Sequence, residues 1–159
     1  MLNYIFYPVF SFIISSLIFF NSPIENSSTP VQAKGADTVT WEMMANISFK
    51  KKQHPEYGTV KYPVVNEQLK ALNKKKVVVS GYIIPLDPDT YVLSKYVFAS
   101  CFFCGGAGPE TVMGIQFKDL KKRLKTDQYV VLTGTFEVNE TVVEDWIYHI
   151  KNAQIVELK

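Results

Sequence analysis

This chain of 159 residues is poor in the side chains that most often carry chemistry: two cysteines, Cys101 and Cys104, and two histidines, His54 and His149. Any metal site must draw on these four and on nearby carboxylates. No phosphate loop is present, because the glycines at 105, 106 and 108 are not followed by the Lys-Ser/Thr such a loop needs. There are no internal repeats, and no Ser/His/Asp or similar catalytic constellation stands out. No Lys or Arg occurs before Lys34. The apolar run Phe10–Phe20 is short of the roughly 20 residues a membrane-spanning helix requires.

That run has the length of a secretory signal core. Val31-Gln32-Ala33 comes close to the small-residue pattern at which signals are cut, after a polar, Pro-containing stretch from Asn21 to Pro30. The missing basic residues ahead of the run leave a second option, an uncleaved N-terminal anchor. No cysteine closely follows the run, which argues against lipid modification. Either way the body of the protein is expected outside the cytoplasm, in the periplasm or cell envelope, touching the membrane only if residues 1–33 are retained. Residues 34–159 then carry seventeen basic against fourteen acidic side chains, a net charge of +3. This balance is too mild to require a nucleic-acid partner. Lysines cluster at Lys50–Lys52, Lys74–Lys76 and Lys121–Arg123, each read as a solvated face.

The body divides into an extension, residues 34–75, and a barrel, residues 76–159. Thr40 is placed to cap a short helix Trp41–Ala45, Ile47–Tyr62 reads as a basic loop with Pro55 and Gly58 as breakers, and Asn66–Leu72 as one or two helical turns. Val77–Leu86 is a β-branched strand interrupted by Gly81, where a bulge or sharp bend is expected. After the turn Asp87–Thr90 come strands at Tyr91–Phe98 and Thr111–Phe117. A short amphipathic helix is expected at Lys118–Lys125 from the spacing of Leu120 and Leu124. Strands at Tyr129–Val138 and over roughly Val142–Leu158, the latter with a break near Asn152, complete the order. The sum is all-β with short helices: a five-stranded OB-like Greek-key barrel with a helix between strands three and four. A thioredoxin-like fold is the competitor that Cys-x-x-Cys suggests, but Gly105, Gly106, Gly108 and Pro109 leave no room for the long helix that fold starts there.

Trp41-Glu42, the segment Lys76–Leu86 ending Gly-Tyr-Ile-Ile-Pro-Leu, and the passage Leu93–Glu110 resemble a family of exported bacterial proteins of unknown function. That family has an OB-like fold and is sometimes labelled nucleic-acid-binding lipoprotein on fold alone. The resemblance spans most of residues 40–158 and implies fold and export, without an activity. Relatives carry a different loop after one matching cysteine, with a histidine and a proline run. This chain has Phe102-Phe103-Cys104-Gly105-Gly106 instead.

Three readings of the cysteine pair stay open. Two thiolates at this spacing suit one tetrahedral zinc or copper ion, completed by His149, His54 or an acidic ligand such as Glu110. In an oxidising compartment the same pair can form a tight, easily reduced disulfide serving thiol–disulfide exchange. Or the pair shapes the loop, with Phe102 and Phe103 pinning it to the barrel and Gly105 and Gly106 allowing tight turns. Phe102, Phe103, Gly105, Gly106 and Glu110 are also candidate ligand contacts. Glu144 and Asp145 read as a solvated strand edge. Tyr82, Tyr91, Tyr96, Tyr129, Trp146 and Tyr148 could serve as stacking platforms for single-stranded nucleic acid or an oligosaccharide, but export removes most nucleic-acid partners. The leading expectation is a non-enzymatic binding protein, taking a small ligand or an envelope protein and handling a metal. A thiol-redox protein is the alternative.

Overall fold

The computed structural model describes residues 35–98 and 107–159. Both short helices expected near the N-terminus are present, the first with the expected bounds and the second one residue shorter at its start. Thr40 accepts from the Met43 N–H and caps α1, Trp41–Ala45. Asn66 accepts from the Leu69 N–H at 2.9 Å and caps α2, Glu67–Leu72. Asn66 also donates to the carbonyls of Met43 and Asn46, tying α2 to the end of α1. A two-residue strand, β1 (Asp37–Thr38), precedes α1 and pairs in parallel with Val77 and Val78.

The segment between the helices differs from its reading as a loop. It is an antiparallel hairpin, β2 (Ile47–His54) and β3 (Gly58–Val65), in unbroken register from Ile47↔Val65 to His54↔Gly58. Gly58, at φ +69°, closes a three-residue turn that only a left-handed residue completes comfortably. Most of the hairpin's residues are exposed, so its strands lack the apolar alternation that marks a strand in sequence.

The remaining five strands close on themselves: β4 (Lys76–Pro85), β5 (Tyr91–Ser94), β6 (Val112–Phe117), β7 (Tyr129–Val138) and β8 (Tyr148–Leu158). Around the barrel the order is β4–β5–β6–β8–β7, with β7 returning to β4. The β6–β8 pair is parallel and the other four are antiparallel. Gly81 marks the bend expected of β4. Lys76–Tyr82 pair with β7 and Tyr82–Pro85 with β5, so the strand changes partner here. A Cβ at Gly81 would lie 2.6 Å from the Ser94 carbonyl oxygen, and the Trp41 indole covers the same spot. Near Asn152, where a break was expected, β8 runs on without interruption but carries a bulge: Asn152 takes φ +51°, and Gly134 alone faces two residues of β8.

Among the described residues no helix joins β6 to β7. Lys118–Lys125, expected to be helical, runs irregularly. Its two leucines still go inward, Leu124 buried and Leu120 packed against the core. The i, i+4 spacing therefore reports burial rather than a helix. The core holds Val77, Val79, Ile83, Leu93, Met113, Leu132, Phe136, Tyr148 and Ile150 from the barrel. It also includes Val39, Met44, Val65, Leu69 and Leu72 from residues 35–75. Tyr148 joins the two parts by donating its buried hydroxyl to the Met44 carbonyl at 2.8 Å.

Candidate functional site

Cys101, Phe102, Phe103, Cys104, Gly105 and Gly106 lie outside the described residues. The barrel fixes both ends of the segment that carries them. At its start, β5 ends at Ser94, the Lys95 N–H donates to the Thr111 carbonyl at 3.0 Å, and the Phe98 N–H donates to the Asp127 carboxylate at 2.6 Å. At its end, Pro109–Thr111 form a 3-10 turn in which the Thr111 amide and hydroxyl both donate to the Gly108 carbonyl. Asp127 holds this position from a left-handed backbone, φ +61°, at the β6–β7 connection. Sequence reading gave Asp127 no role.

His149 sits on β8 opposite Gly114 of β6, the strand that follows the cysteine segment. A Cβ at Gly114 would lie 2.7 Å from His149 Nδ1 and 2.8 Å from Trp146 Cδ1, so glycine is what lets both rings lie against the strand. Asp145 Oδ2 is 3.1 Å from His149 Nε2. The contact is within ion-pair reach but poorly aligned as a hydrogen bond, and the buried Nε2 has no other acceptor among the described residues. Asp145 and Glu144 are exposed, as expected, but lie on no strand, since β8 starts at Tyr148 rather than Val142. They lie in the irregular connection before β8, where Glu144 hydrogen-bonds the Tyr57 hydroxyl and raises its pKa above the ordinary value. The i, i+4 relation of Asp145 and His149 was visible in sequence, but a strand assignment had put the two on one extended element.

Glu110 lies in the 3-10 turn with its carboxylate folded back against Gly108. Burial pushes the Tyr148 phenol well above the usual tyrosine range, with the negative charges of Glu110 and Glu140 adding to it. His54 is placed elsewhere, at the tip of the β2–β3 hairpin. Its Nδ1 accepts from the Glu56 and Tyr57 amides at 3.2 and 3.3 Å, and its ring stacks on Tyr57 at 4.7 Å. Among the described residues no group of three or more His, Cys, Asp or Glu side chains is arranged to hold a metal ion. Of the six aromatic platforms, Tyr91 and Tyr148 are core residues, and Tyr82 packs edge-on against Tyr129.

A small cavity of about 150 Å³ opens between the hairpin and the β7–β8 connection, where Phe49, Tyr62 and Pro63 face Val142 and Ile147. Pro109 and Asp145 border it, so it adjoins both the end of the cysteine segment and the partner of His149. A second cavity, about 540 Å³, lies at the other end of the β5–β6 pair. No helix among the described residues is long and apolar enough to cross a membrane.

Fold and site together define a closed β-barrel with an elaborated connection between its second and third strands. No family model matches the chain, and no curated protein matches it. Among solved structures the chain is similar to a DUF3299 family protein from Pseudomonas aeruginosa PAO1. The two share 16% identity with a TM-score of 0.50, over 78% of this chain and 98% of that one. At that identity the likeness is one of fold, to a protein of an uncharacterised family.

Proposed function

We propose that this is an exported, non-enzymatic binding protein on an OB-like barrel, whose cysteine segment holds a zinc or copper ion through Cys101, Cys104 and His149. The observation that carries the reading is the placing of His149: its Nε2 faces the Asp145 carboxylate while the Nδ1 edge lies over Gly114. A metal-ligating histidine is commonly held in this way, one nitrogen toward a carboxylate and the other toward the ion. Three residues separate Cys104 from Gly108, so their Cα atoms lie at most about 14 Å apart. Two thiolates and one imidazole leave a fourth position for a ligand, for which Glu110 is a candidate carboxylate. His54 has no part in this set, because its Nδ1 is already engaged at the hairpin tip.

Elemental analysis of the purified protein tests the proposal. One zinc or copper per chain is expected, lost in Cys101→Ser/Cys104→Ser and weakened in His149→Gln, with His54→Gln unchanged. Metal retained at full occupancy in His149→Gln would remove the histidine from the set. A metal-free protein whose cysteines form a disulfide that opens under mild reductant would replace the metal reading with thiol exchange.

A further inference from the structure

We infer that the cavity at the opposite end of the β5–β6 pair binds a small organic anion, a phosphorylated sugar or a molecule of that size and charge. A five-stranded barrel needs something to close its end after the third strand, and a helix was the expected plug. The irregular segment after β6 does this incompletely. The Lys118 N–H donates to the Ala153 carbonyl at 3.1 Å, and Leu120 and Leu124 pack inward. A cavity of about 540 Å³ remains between this segment and the Asp87–Thr90 turn. That volume lies within the range of small-molecule sites.

The walls fit such a ligand. Phe117 and Ile115, both partly exposed, supply an apolar surface on which a ring can rest, and the buried Tyr91 backs Phe117 edge-to-face at 5.9 Å. Around them stand four cations, Lys118, Lys121, Lys122 and Arg123, against two carboxylates, Asp89 and Asp119. None of the four cations is ion-paired with a described residue. The remaining nearby carboxylate, Asp87, is turned to its own loop and accepts from the Asp89 and Thr90 amides at 3.0 and 2.9 Å. Unneutralised positive charge around a partly apolar concavity favours an anion carrying a ring, and Arg offers a bidentate fork for phosphate or carboxylate. Lysine clusters on convex surfaces are ordinary. The hairpin cluster Lys50–Lys52 is one, and it serves as the internal comparison. The cavity lies at the far end of β5 and β6 from the cysteine segment, so the inference rests on no part of the metal reading.

Titration of the full chain with glucose 6-phosphate, followed by calorimetry and by amide shifts in NMR, tests it. Saturable binding is expected, with shifts concentrated at Tyr91 and Phe117–Arg123. Affinity should fall about tenfold or more in Lys121→Gln/Arg123→Gln, the loss of at least one charge-assisted contact. It should be unchanged in Lys50→Gln/Lys52→Gln. All four substituted positions are exposed, so thermal unfolding should match the parent and exclude misfolding as a cause. Absence of saturable binding would overturn the inference, as would equal loss in the hairpin variant or equal affinity for uncharged glucose.

Discussion

Gly81→Ala tests the central geometric claim about the barrel, that β4 can change partners only where a side chain is missing. The added methyl would sit 2.6 Å from the Ser94 carbonyl oxygen, 3.0 Å from Leu93 Cγ and 3.1 Å from the Trp41 ring. Ordinary contact begins near 3.4 Å, so the Ser94 carbonyl must retreat by about 0.8 Å. That oxygen belongs to β5 and cannot rotate away like a side chain. Overpacking of this kind costs about 1–3 kcal/mol. Replacing glycine inside a strand returns about 0.5–1 kcal/mol by restricting the unfolded chain. The net loss should be about 1–2 kcal/mol, which at this chain length lowers the melting temperature by about 2–4 °C per kcal/mol. Urea unfolding followed by tryptophan fluorescence is suited to the measurement, since Trp41 packs on the substituted position. Gly81→Val should cost more than Gly81→Ala, because its branches also meet Leu93 and Trp41. If both variants unfold at the parental midpoint with an unchanged slope, the close approach of β4 to β5 does not restrict this position and the reasoning fails.

Tyr148→Phe should destabilise the protein by about 1–3 kcal/mol in the same assay, because it strands the buried Met44 carbonyl to which the phenol donates. Leu69→Ala removes a fully buried side chain of α2 and should cost about 2–5 kcal/mol in one cooperative transition. A negligible loss there would show that residues 35–75 do not share the barrel's core. Hydrogen bonds from the Asp89 and Thr90 amides hold the Asp87 carboxyl below the usual aspartate range. The folded chain therefore favours its ionised form. The stabilisation is present above the ordinary aspartate pKa and is lost as pH falls through Asp87's own lower value. Carboxyl NMR should place that midpoint below about 3.9, and a value at or above it would contradict the turn geometry.

The parts of the fold that were legible in sequence are those where a local rule and the tertiary structure agree. Thr40 read as a cap because a short polar side chain before a helical pattern has one good use, and Asn66, read as the first residue of its helix, serves in the same way. The strands β4 and β7 read correctly because their β-branched residues are buried on a pleated surface. The hairpin went unread because Ile47–His54 and Gly58–Val65 are mostly exposed, leaving no period-two pattern. Its one usable signal was Gly58, a left-handed closing residue that also serves as a loop breaker. Lys118–Lys125 misled in the opposite sense: two leucines four apart satisfied a helical template, yet an irregular chain buries them. At the site, His149 and Glu110 could be nominated by residue type. Asp127, Asp145 and Gly114 could not, since their roles come from strand pairing across the barrel.

Strand pairing also bears on what the cysteines are for. The segment between Lys95 and Thr111 is already closed at its base by the Lys95–Thr111 hydrogen bond, and Asp127 holds Phe98 just inside it. A disulfide between Cys101 and Cys104 would close a ring of four residues, for which chain entropy gives about 2 kcal/mol. That is no more than the cost expected for Tyr148→Phe, and it would reinforce a loop whose ends are fixed independently. A purely structural pair would therefore add little to the fold. Compared with the metal-free parent, loss of both thiols in Cys101→Ser/Cys104→Ser should shift stability by about 2 kcal/mol or less, since bound metal would add its own linkage. Such a small change, alongside complete loss of bound metal or of exchangeable disulfide, is the pattern expected of cysteines that carry chemistry on a barrel able to stand without them.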